Sequence, residues 1–217
     1  MQKTYLIDLY DTLVSSDWER WRRELSAMAG ITVERLDRAF HETRASRNTG
    51  AYPDLETSTR AVIHAAGLPD DHGTLRRWIE MDIEFMGTAV RLHEDSLPAI
   101  RTIRGRGATA VLVSNCGPDT RLLVERLGLE AEFDALILSF EIGARKPDAA
   151  IYEAALASVG GTPTAALFVD DQAEYCDGAR ALGIDTRLMV RSGTEPAEGF
   201  ASATNGHVVI GDLSALL

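Results

Sequence analysis

The sequence is poor in the features that mark secreted, membrane-spanning or disulfide-stabilised proteins. Its 217 residues include only two cysteines, Cys116 and Cys176, so a disulfide framework is not expected. No apolar run approaches the roughly 20 residues that a membrane-spanning helix needs. The N-terminus also lacks the basic segment and the long apolar core of a signal peptide. These absences predict a cytoplasmic protein that has no membrane partner.

The chain also lacks an excess of positive charge. It carries 22 Lys and Arg residues against 33 Asp and Glu residues, for a formal net charge of -11. Such a chain has no summed basic field that would attract nucleic acid or anionic lipid. We therefore expect no nucleic-acid partner, and a small anionic substrate would have to be bound by a few local cations or by a metal ion. The sequence leaves open whether the protein is a monomer or a homodimer.

Short apolar runs recur along the chain, and segments with helical periodicity separate most of them. The runs are Tyr5–Ile7, Ala108–Val113, Ala135–Leu138, Ala165–Val169, Thr186–Val190 and His207–Ile210. Proline followed by aspartate starts two of the intervening helices, at Pro118 and Pro147, and glycine ends them near Gly128 and Gly160. A third helix is predicted at Ala173–Leu182. This alternation predicts an α/β fold with a Rossmann-like, doubly wound parallel sheet.

The alternation stops between Ser15 and about Leu92, where the pattern is helical and predicts about four helices and no convincing strand. Because one strand precedes this block and the next follows it, we interpret residues 15–92 as a helical insertion. Residues 1–14 and 93–217 then form the sheet domain. An insertion that leaves and re-enters beside Asp8 is expected to form a lid over a site at that edge. The alternative is a subdomain that serves only for packing or dimerisation. The polar stretch Arg191–Asn205 is predicted to be a surface loop.

Polar side chains follow four of the predicted strands. Asp8 follows the first, Ser114 and Asn115 the second, Lys146 the third, and the pair Asp170–Asp171 the fourth. Ligands of open α/β sheets bind just beyond the carboxyl ends of the strands. Converging carboxylates repel one another unless a cation lies among them, and hard oxygen ligands suit Mg²⁺. The alternative for Asp8 alone is a helix-capping aspartate.

At these residues the chain resembles the haloacid dehalogenase superfamily of hydrolases. The superfamily's four motifs occur in order, at Asp8–Leu13, Val113–Asn115, Lys146–Asp148 and Phe168–Asp171. Each lies at or just beyond a predicted strand end, and the resemblance spans essentially the whole chain. A helical insertion between the first two motifs is the position of the cap in the subclass called type C1.

The resemblance implies nucleophilic catalysis by Asp8, through a covalent aspartyl intermediate that water hydrolyses. It implies that Thr12 contacts the transferring group. It also implies a Mg²⁺ ion held by Asp8, by the backbone carbonyl at Tyr10 and by Asp170 and Asp171. Lys146 would orient Asp8 and bind the transferring group. Ser114 and Asn115 form the second motif, in which the Ser114 hydroxyl would hold anionic oxygens. The leading hypothesis is therefore a Mg²⁺-dependent phosphatase of a small phosphorylated metabolite.

Tyr10 departs from the phosphatase pattern, which has a second aspartate at this position to protonate the leaving group. Tyrosine here, and Tyr152, resemble the metal-independent 2-haloacid dehalogenases, which are the alternative function. Those enzymes have small neutral residues where this chain has Asp170 and Asp171, and this difference favours phosphoryl chemistry. Asp11 is the nearest substitute acid or base, and its alternative role is hydrogen bonding within the turn.

A third hypothesis is a catalytically weakened member that binds a ligand or partner in the closed lid. Among the remaining residues, Arg44 and Arg47 lie where relatives place specificity residues, although arginines on a helix are usually solvated. Cys116 is expected to be an inert thiol, and Tyr175 to be a packing residue.

Overall fold

The computed structural model describes residues 2–191 and 204–217, so most of the predicted loop Arg191–Asn205 lies outside the described residues. Eight strands are present in the described part of the chain. They are β1 Thr4–Ile7, β2 Val14–Ser16, β3 Val90–Leu92, β4 Thr109–Ser114, β5 Ala135–Leu138, β6 Ala166–Asp170, β7 Asp185–Met189 and β8 Val208–Ile210. Six of them form one sheet in the order β5-β4-β1-β6-β7-β8, with every pair parallel. The predicted α/β fold and all six of its strands are confirmed to within one or two residues.

The first strand lies in the middle of this sheet, between β4 and β6. Ile7 is level with Leu112 of β4 on one side and with Val169 of β6 on the other. The chain turns to opposite sides of β1 as it adds these two neighbours. Ligands bind at such a switch point in open α/β sheets, just beyond the strand ends. The position immediately after Ile7, which Asp8 occupies, is therefore the expected centre of a site.

Ten α-helices accompany the strands in the described residues. They are α1 Trp18–Ala29, α2 Val33–Asn48, α3 Leu55–Ala65, α4 His72–Thr88, α5 Ser96–Gly105, α6 Thr120–Leu127, α7 Leu129–Glu132, α8 Ser139–Ile142, α9 Ala149–Ser158 and α10 Ala173–Ala181. Helices α6, α9 and α10 match the three helices predicted from proline and glycine positions. Helix α6 ends at Gly128 in the left-handed region, as the capping pattern requires. No helix among the described residues is both long and apolar enough to cross a bilayer.

Both faces of the sheet are buried against helices. Along β1, Tyr5 and Ile7 join one apolar cluster while Leu6 joins the other, because successive side chains of a strand point to opposite faces. The first cluster also contains residues of α5 and α6, and the second contains residues of α9 and α10. Near-continuous apolar strands follow from this double burial. The arrangement confirms the doubly wound sheet.

The four helices α1–α4 lie between β2 and β3 and share an apolar cluster of their own. Leu25, Leu36, Ile63 and Trp78 are each at most 1% exposed in this cluster. Aspartate or threonine caps all four helices by accepting a backbone N–H bond three residues on. The helical insertion predicted within the α/β fold is present. Its exact division from the sheet, at residues 15 and 92, stays a prediction.

The prediction that residues 15–92 contain no strand was wrong at both ends. Strands β2 and β3 pair antiparallel, with Val14 opposite Leu92 and Ser16 opposite Val90. Each strand has only three residues, which is too short for an alternating pattern to be visible in the sequence. The ribbon joins the two connections between the sheet and the helices, so the helical segment leaves and returns at one place beside Asp8.

Candidate active site

Asp8 follows β1 and is almost fully buried, with 5% of its surface exposed. Its backbone N–H donates to the Val169 carbonyl at 3.0 Å, which continues the β1–β6 ladder by one residue and places the side chain at the sheet edge. Burial raises the pKa of Asp8 to about 7; the Lys146 ammonium opposes this rise and the Asp170 carboxylate adds to it. The carboxyl group therefore lies away from water, where its negative charge requires a nearby cation.

Lys146 supplies one such cation. Its Nζ donates to Asp8 Oδ1 at 2.5 Å, to Asp170 Oδ2 at 2.6 Å and to the Val113 carbonyl at 3.1 Å. Burial alone would lower the pKa of Lys146, but the carboxylates of Asp170 and Asp8 outweigh it and raise the pKa. The ammonium group, in a side chain only 1% exposed, thus stays charged between the two acids.

Asn115 holds Lys146 through the backbone. Its side-chain Nδ2 donates to the Lys146 carbonyl at 2.9 Å, and its Oδ1 accepts the Lys146 N–H at 2.7 Å. A paired amide bond of this kind fixes the position of the segment that carries the ammonium group. The structure thus links the second and third motifs directly, a contact that the sequence did not reveal.

Asp170 and Asp171 join Asp8 in a cluster of three carboxyl groups, whose oxygen atoms lie within 4.8 Å of one another. Burial raises the pKa of each of the two to about 7. Asp171 adds to the rise at Asp170, Lys146 opposes it there, and Asp8 and Asp11 add to the rise at Asp171. This group of three carboxyl groups is the only cluster in residues 2–191 and 204–217 with the composition of a metal site. One ammonium group cannot neutralise three carboxylates, so the donor set fits a divalent cation such as Mg²⁺. No described hydrogen bond uses the Tyr10 carbonyl.

Two hydroxyl groups of the predicted site have no partner in the described residues. Thr12 Oγ1 and Ser114 Oγ are both enclosed and make no hydrogen bond, and both residues are 0% exposed. A buried hydroxyl without a partner costs about 1–3 kcal/mol. Proteins retain such unsatisfied groups at sites where a bound ligand supplies the missing hydrogen bond.

The turn after Asp8 is supported by a residue that the sequence analysis missed. Arg191 donates from Nη2 and Nε to the Thr12 carbonyl, at 2.6 and 3.2 Å. Its Nη1 also pairs with Asp95 at 2.7 Å. The contact joins positions 179 residues apart along the chain, so no local pattern could indicate it.

Tyr10 and Asp11 occupy the same turn and differ in what they can do. The Tyr10 hydroxyl lies 3.1 Å from Thr120 Oγ1, and burial raises the pKa of this phenol well above its ordinary value. Tyr10 therefore stays neutral and points toward the start of α6. Asp11 has a φ of 58°, a left-handed conformation that glycine adopts most readily and that aspartate and asparagine also tolerate.

A cavity of about 540 Å³ lies between the sheet edge and helices α1–α4. Of the predicted site residues, Asp8, Tyr10, Asp11, Asn115 and Lys146 line it, whereas Thr12, Ser114, Asp170 and Asp171 are not among its lining residues. The residues from the helices include Trp18, Trp21, Phe40, Arg44, Arg47, Asn48, Ser58 and Thr59. The end of α2 closes against α8, where a Cβ on Gly50 would overlap the Phe140 carbonyl oxygen. Volumes of about 300–1,000 Å³ are typical of sites for drug-sized ligands.

Four residues that the sequence analysis noted outside the predicted catalytic set contact neighbouring groups or solvent. Burial raises the pKa of the Cys116 thiol to about 12, so it stays protonated, as expected. Tyr152 is fully buried, and its hydroxyl donates to the Tyr175 carbonyl at 2.7 Å. The Arg47 guanidinium lies 4.8 Å over the Phe40 ring and donates to Thr43 Oγ1. Arg44, the other arginine noted in the sequence, is exposed at the rim.

The cavity wall also contains Asp82 and Asp119, which the sequence analysis missed because an acid in a helix or at its start gives no specific signal. Trp21 Nε1 donates to Asp82 Oδ1 at 3.0 Å. Burial and the nearby Asp119 raise the pKa of Asp82 to about 7, against the opposing effects of the Trp21 hydrogen bond and Arg47. Asp82 is therefore ionised at a cost in the folded protein.

We predict that Asp82→Asn stabilises the protein at neutral and higher pH. A carboxyl group whose pKa rises on folding costs stability as the pH rises from about 4, its unfolded value, to about 7. The amide has no charge and can still accept the Trp21 N–H bond. Urea unfolding is expected to show a gain of about 2 kcal/mol at about pH 8 that disappears near pH 4. Asp37→Asn, in a half-exposed pair with Arg22, is the control; an equal gain there, or none at Asp82, contradicts the prediction.

The sequence of this chain is similar to that of known hydrolases. A sequence profile of haloacid dehalogenase-like hydrolases matches residues 2–183. Phosphatase MT3486 of Mycobacterium tuberculosis (strain CDC 1551 / Oshkosh) is 27% identical over 198 residues, which cover 87% of this chain and 87% of that protein.

Solved structures that share the fold of this chain include a magnesium and phosphate complex and a haloacid dehalogenase. The HAD family enzyme bt-2542 of Bacteroides thetaiotaomicron, in complex with magnesium and inorganic phosphate, has a TM-score of 0.72 at 21% identity and covers 92% of this chain and 100% of its own. L-2-haloacid dehalogenase from Xanthobacter autotrophicus, with chloropropionic acid covalently bound, has a TM-score of 0.67 at 21% identity and covers 100% and 97%. At these identities the likeness shows the fold alone.

Proposed function

The chain belongs to the haloacid dehalogenase-like hydrolases, and on that premise we propose that it is a Mg²⁺-dependent phosphatase of a small phosphorylated metabolite. The observation that carries the proposal is the cluster of Asp8, Asp170 and Asp171 around a single ammonium group. Three clustered acids, of which Asp8 and Asp170 are buried, are costly with one cation and no second one. A relative named as a phosphatase, at 27% identity, supports the same chemistry.

Asp8 is the nucleophile in this proposal. One of its carboxylate oxygens attacks phosphorus, the bond from phosphorus to the alcohol oxygen breaks, and an aspartyl phosphate forms. Water then attacks that phosphorus, releases inorganic phosphate and restores the carboxylate. Lys146, bonded to Asp8 Oδ1, holds the nucleophile in place and balances negative charge.

The unpartnered hydroxyls of Thr12 and Ser114 are assigned to the transferring group. Both can donate to phosphoryl oxygens, and this would satisfy groups that have no partner in the described residues. Asp8, Asp170, Asp171 and the Tyr10 carbonyl would hold Mg²⁺. When bound, this ion would neutralise phosphoryl oxygens and the surrounding carboxylates.

The proton for the leaving alcohol is assigned to Asp11. Tyr10 is neutral and bonded toward Thr120, so it is unsuited to act as the acid or base. Asp11 also lines the cavity, and burial raises the pKa of its carboxyl group. A positioned acid or base is typically worth about 10²–10⁴-fold in rate.

The second candidate is a metal-independent 2-haloacid dehalogenase, which Tyr10 favours. Two features oppose it. The carboxyl groups of Asp8, Asp170 and Asp171 exceed what the Lys146 ammonium can neutralise without a metal ion, and a cavity of about 540 Å³ is far larger than a short haloacid requires. The third candidate, a weakened member that binds a ligand without turnover, has no specific observation in its favour.

We expect the purified protein to hydrolyse acetyl phosphate or p-nitrophenyl phosphate with added Mg²⁺, and to lose this activity in EDTA. Because the carboxylates would repel an anionic substrate without the ion, restoring Mg²⁺ should restore the rate. Phosphate release is the measurement, and 2-chloropropionate in EDTA with chloride detection is the parallel arm. Chloride release in EDTA, without phosphatase activity in Mg²⁺, would establish the dehalogenase instead.

A further inference from the structure

The helical wall of the cavity contains three polar side chains that are buried but have no hydrogen-bond partner among the described residues. Asn48 ends α2, and Ser58 and Thr59 lie in α3. They are 6%, 4% and 4% exposed, and all three line the cavity. Their polar atoms are not among the fully enclosed ones, unlike Thr12 Oγ1 and Ser114 Oγ. Their hydrogen-bonding capacity is therefore directed toward whatever fills the cavity.

Other hydroxyl side chains in the helices of this protein behave differently. Thr43, Thr88 and Thr102 each donate to the carbonyl four residues earlier, at 2.8 Å. This local bond is the usual way for a helical threonine to satisfy its hydroxyl. Thr59 makes no such bond, although it lies within α3. Ser58 makes none either, and there the Asp54 carbonyl already accepts from the Ser58 N–H and from the Thr57 hydroxyl.

A ligand that fills the cavity displaces water from these three groups, and each hydrogen bond that it fails to replace costs about 1–3 kcal/mol. An asparagine amide and two hydroxyls offer both donors and acceptors but no charge. They suit neutral groups such as hydroxyls, carbonyls and amides. A hydrocarbon chain would leave all three unsatisfied.

Charged side chains also lie near this patch. Burial lowers the pKa of Arg47, the neighbour of Asn48, while Asp119 and Asp82 oppose this effect. All three line the same cavity. Asn48, Ser58 and Thr59 themselves carry no charge, so the hydrogen bonds that they offer suit neutral groups.

We propose that Asn48, Ser58 and Thr59 form a subsite for the alcohol portion of the substrate. The substrate is then a phosphomonoester whose alcohol is large, neutral and rich in hydrogen-bonding groups, the chemistry shared by nucleoside monophosphates and sugar phosphates. The inference rests on the proposed function, in which Asp8 accepts the phosphoryl group at the opposite wall. The volume of about 540 Å³ accommodates an alcohol of this size.

The test compares kcat/KM of the Mg²⁺-loaded enzyme for adenosine 5′-monophosphate, glucose 6-phosphate and acetyl phosphate. One of the first two is expected to exceed acetyl phosphate, and which one does so distinguishes a nucleoside from a sugar. Thr59→Val and Ser58→Ala should each reduce the ratio of kcat/KM for the preferred substrate to kcat/KM for acetyl phosphate. We expect a reduction of about 5- to 10-fold, chiefly through KM, because each substitution removes about one hydrogen bond. Ser26→Ala, a buried serine of α1 that donates to the Arg23 carbonyl, is the matched control.

A binding measurement separates recognition from turnover. In the Asp8→Asn background with Mg²⁺, the Kd of the preferred phosphomonoester should rise by the same factor in Thr59→Val. A ratio that stays constant in both variants, or an equal loss on all substrates through kcat, overturns the subsite. Acetyl phosphate hydrolysis without preference for a polar alcohol overturns the subsite alone. Absence of any phosphate hydrolysis overturns the proposed function and the subsite together.

Discussion

Asp8→Asn is expected to lower kcat for phosphomonoester hydrolysis by about 10⁴-fold or more, because the covalent route then has no nucleophile. The amide oxygen can still accept the Lys146 bond that the carboxylate Oδ1 accepts at 2.5 Å. The substitution thus changes the reactivity of one atom while its neighbours keep their partners.

Loss of folding would not explain this result. The Asp8→Asn substitution weakens one charge-assisted bond, but it also removes one of the three mutually repelling carboxylates. The unfolding midpoint in urea should therefore stay close to that of the wild type. Glu94→Gln, an exposed acid outside the cavity wall, controls for the loss of a negative charge.

Direct observation of the modified side chain completes the test of Asp8. Mg²⁺ with beryllium fluoride, soaked into crystals, should give density continuous with a carboxylate oxygen of Asp8 and none in the Asp8→Asn variant. Turnover within about tenfold of wild type in Asp8→Asn contradicts covalent catalysis at this residue.

The second large effect is on stability. Lys146→Met is expected to lower the free energy of unfolding by about 3–5 kcal/mol, because it leaves buried carboxylates without their cation. Lys146 is 1% exposed and bonds to both Asp8 and Asp170. Chemical unfolding at neutral pH without added metal measures the loss. Activity should also disappear, since the nucleophile loses its positioning contact.

A double substitution separates this electrostatic account from a simple packing defect. Adding Asp170→Asn to Lys146→Met removes one of the uncompensated acids and should recover part of the lost stability. Lys3→Met is the matched control, since Lys3 is the only other lysine in the sequence and is exposed. It should cost at most about 1 kcal/mol. An unfolding midpoint in Lys146→Met equal to wild type would mean that the three acids do not depend on this cation.

The sequence located most of the scaffold because the relevant signals are local. Apolar runs set the six strands, and a glycine after α6 set its end. The three-residue strands β2 and β3 escaped because a ribbon that short has no periodicity of its own. Their pairing depends on two chain segments about 75 residues apart meeting in space.

The order of residues was enough to predict that Asp8, Asn115, Lys146 and Asp170 would lie near one sheet edge, since parallel strands end on the same side. Only the folded chain shows that Asn115 clamps the Lys146 backbone and that the Tyr10 hydroxyl turns toward Thr120. The same is true of the unsatisfied side chains of the helical segment that face the cavity. Strand direction follows from local chemistry, whereas contacts between the helices and the sheet depend on how two separately packed surfaces meet.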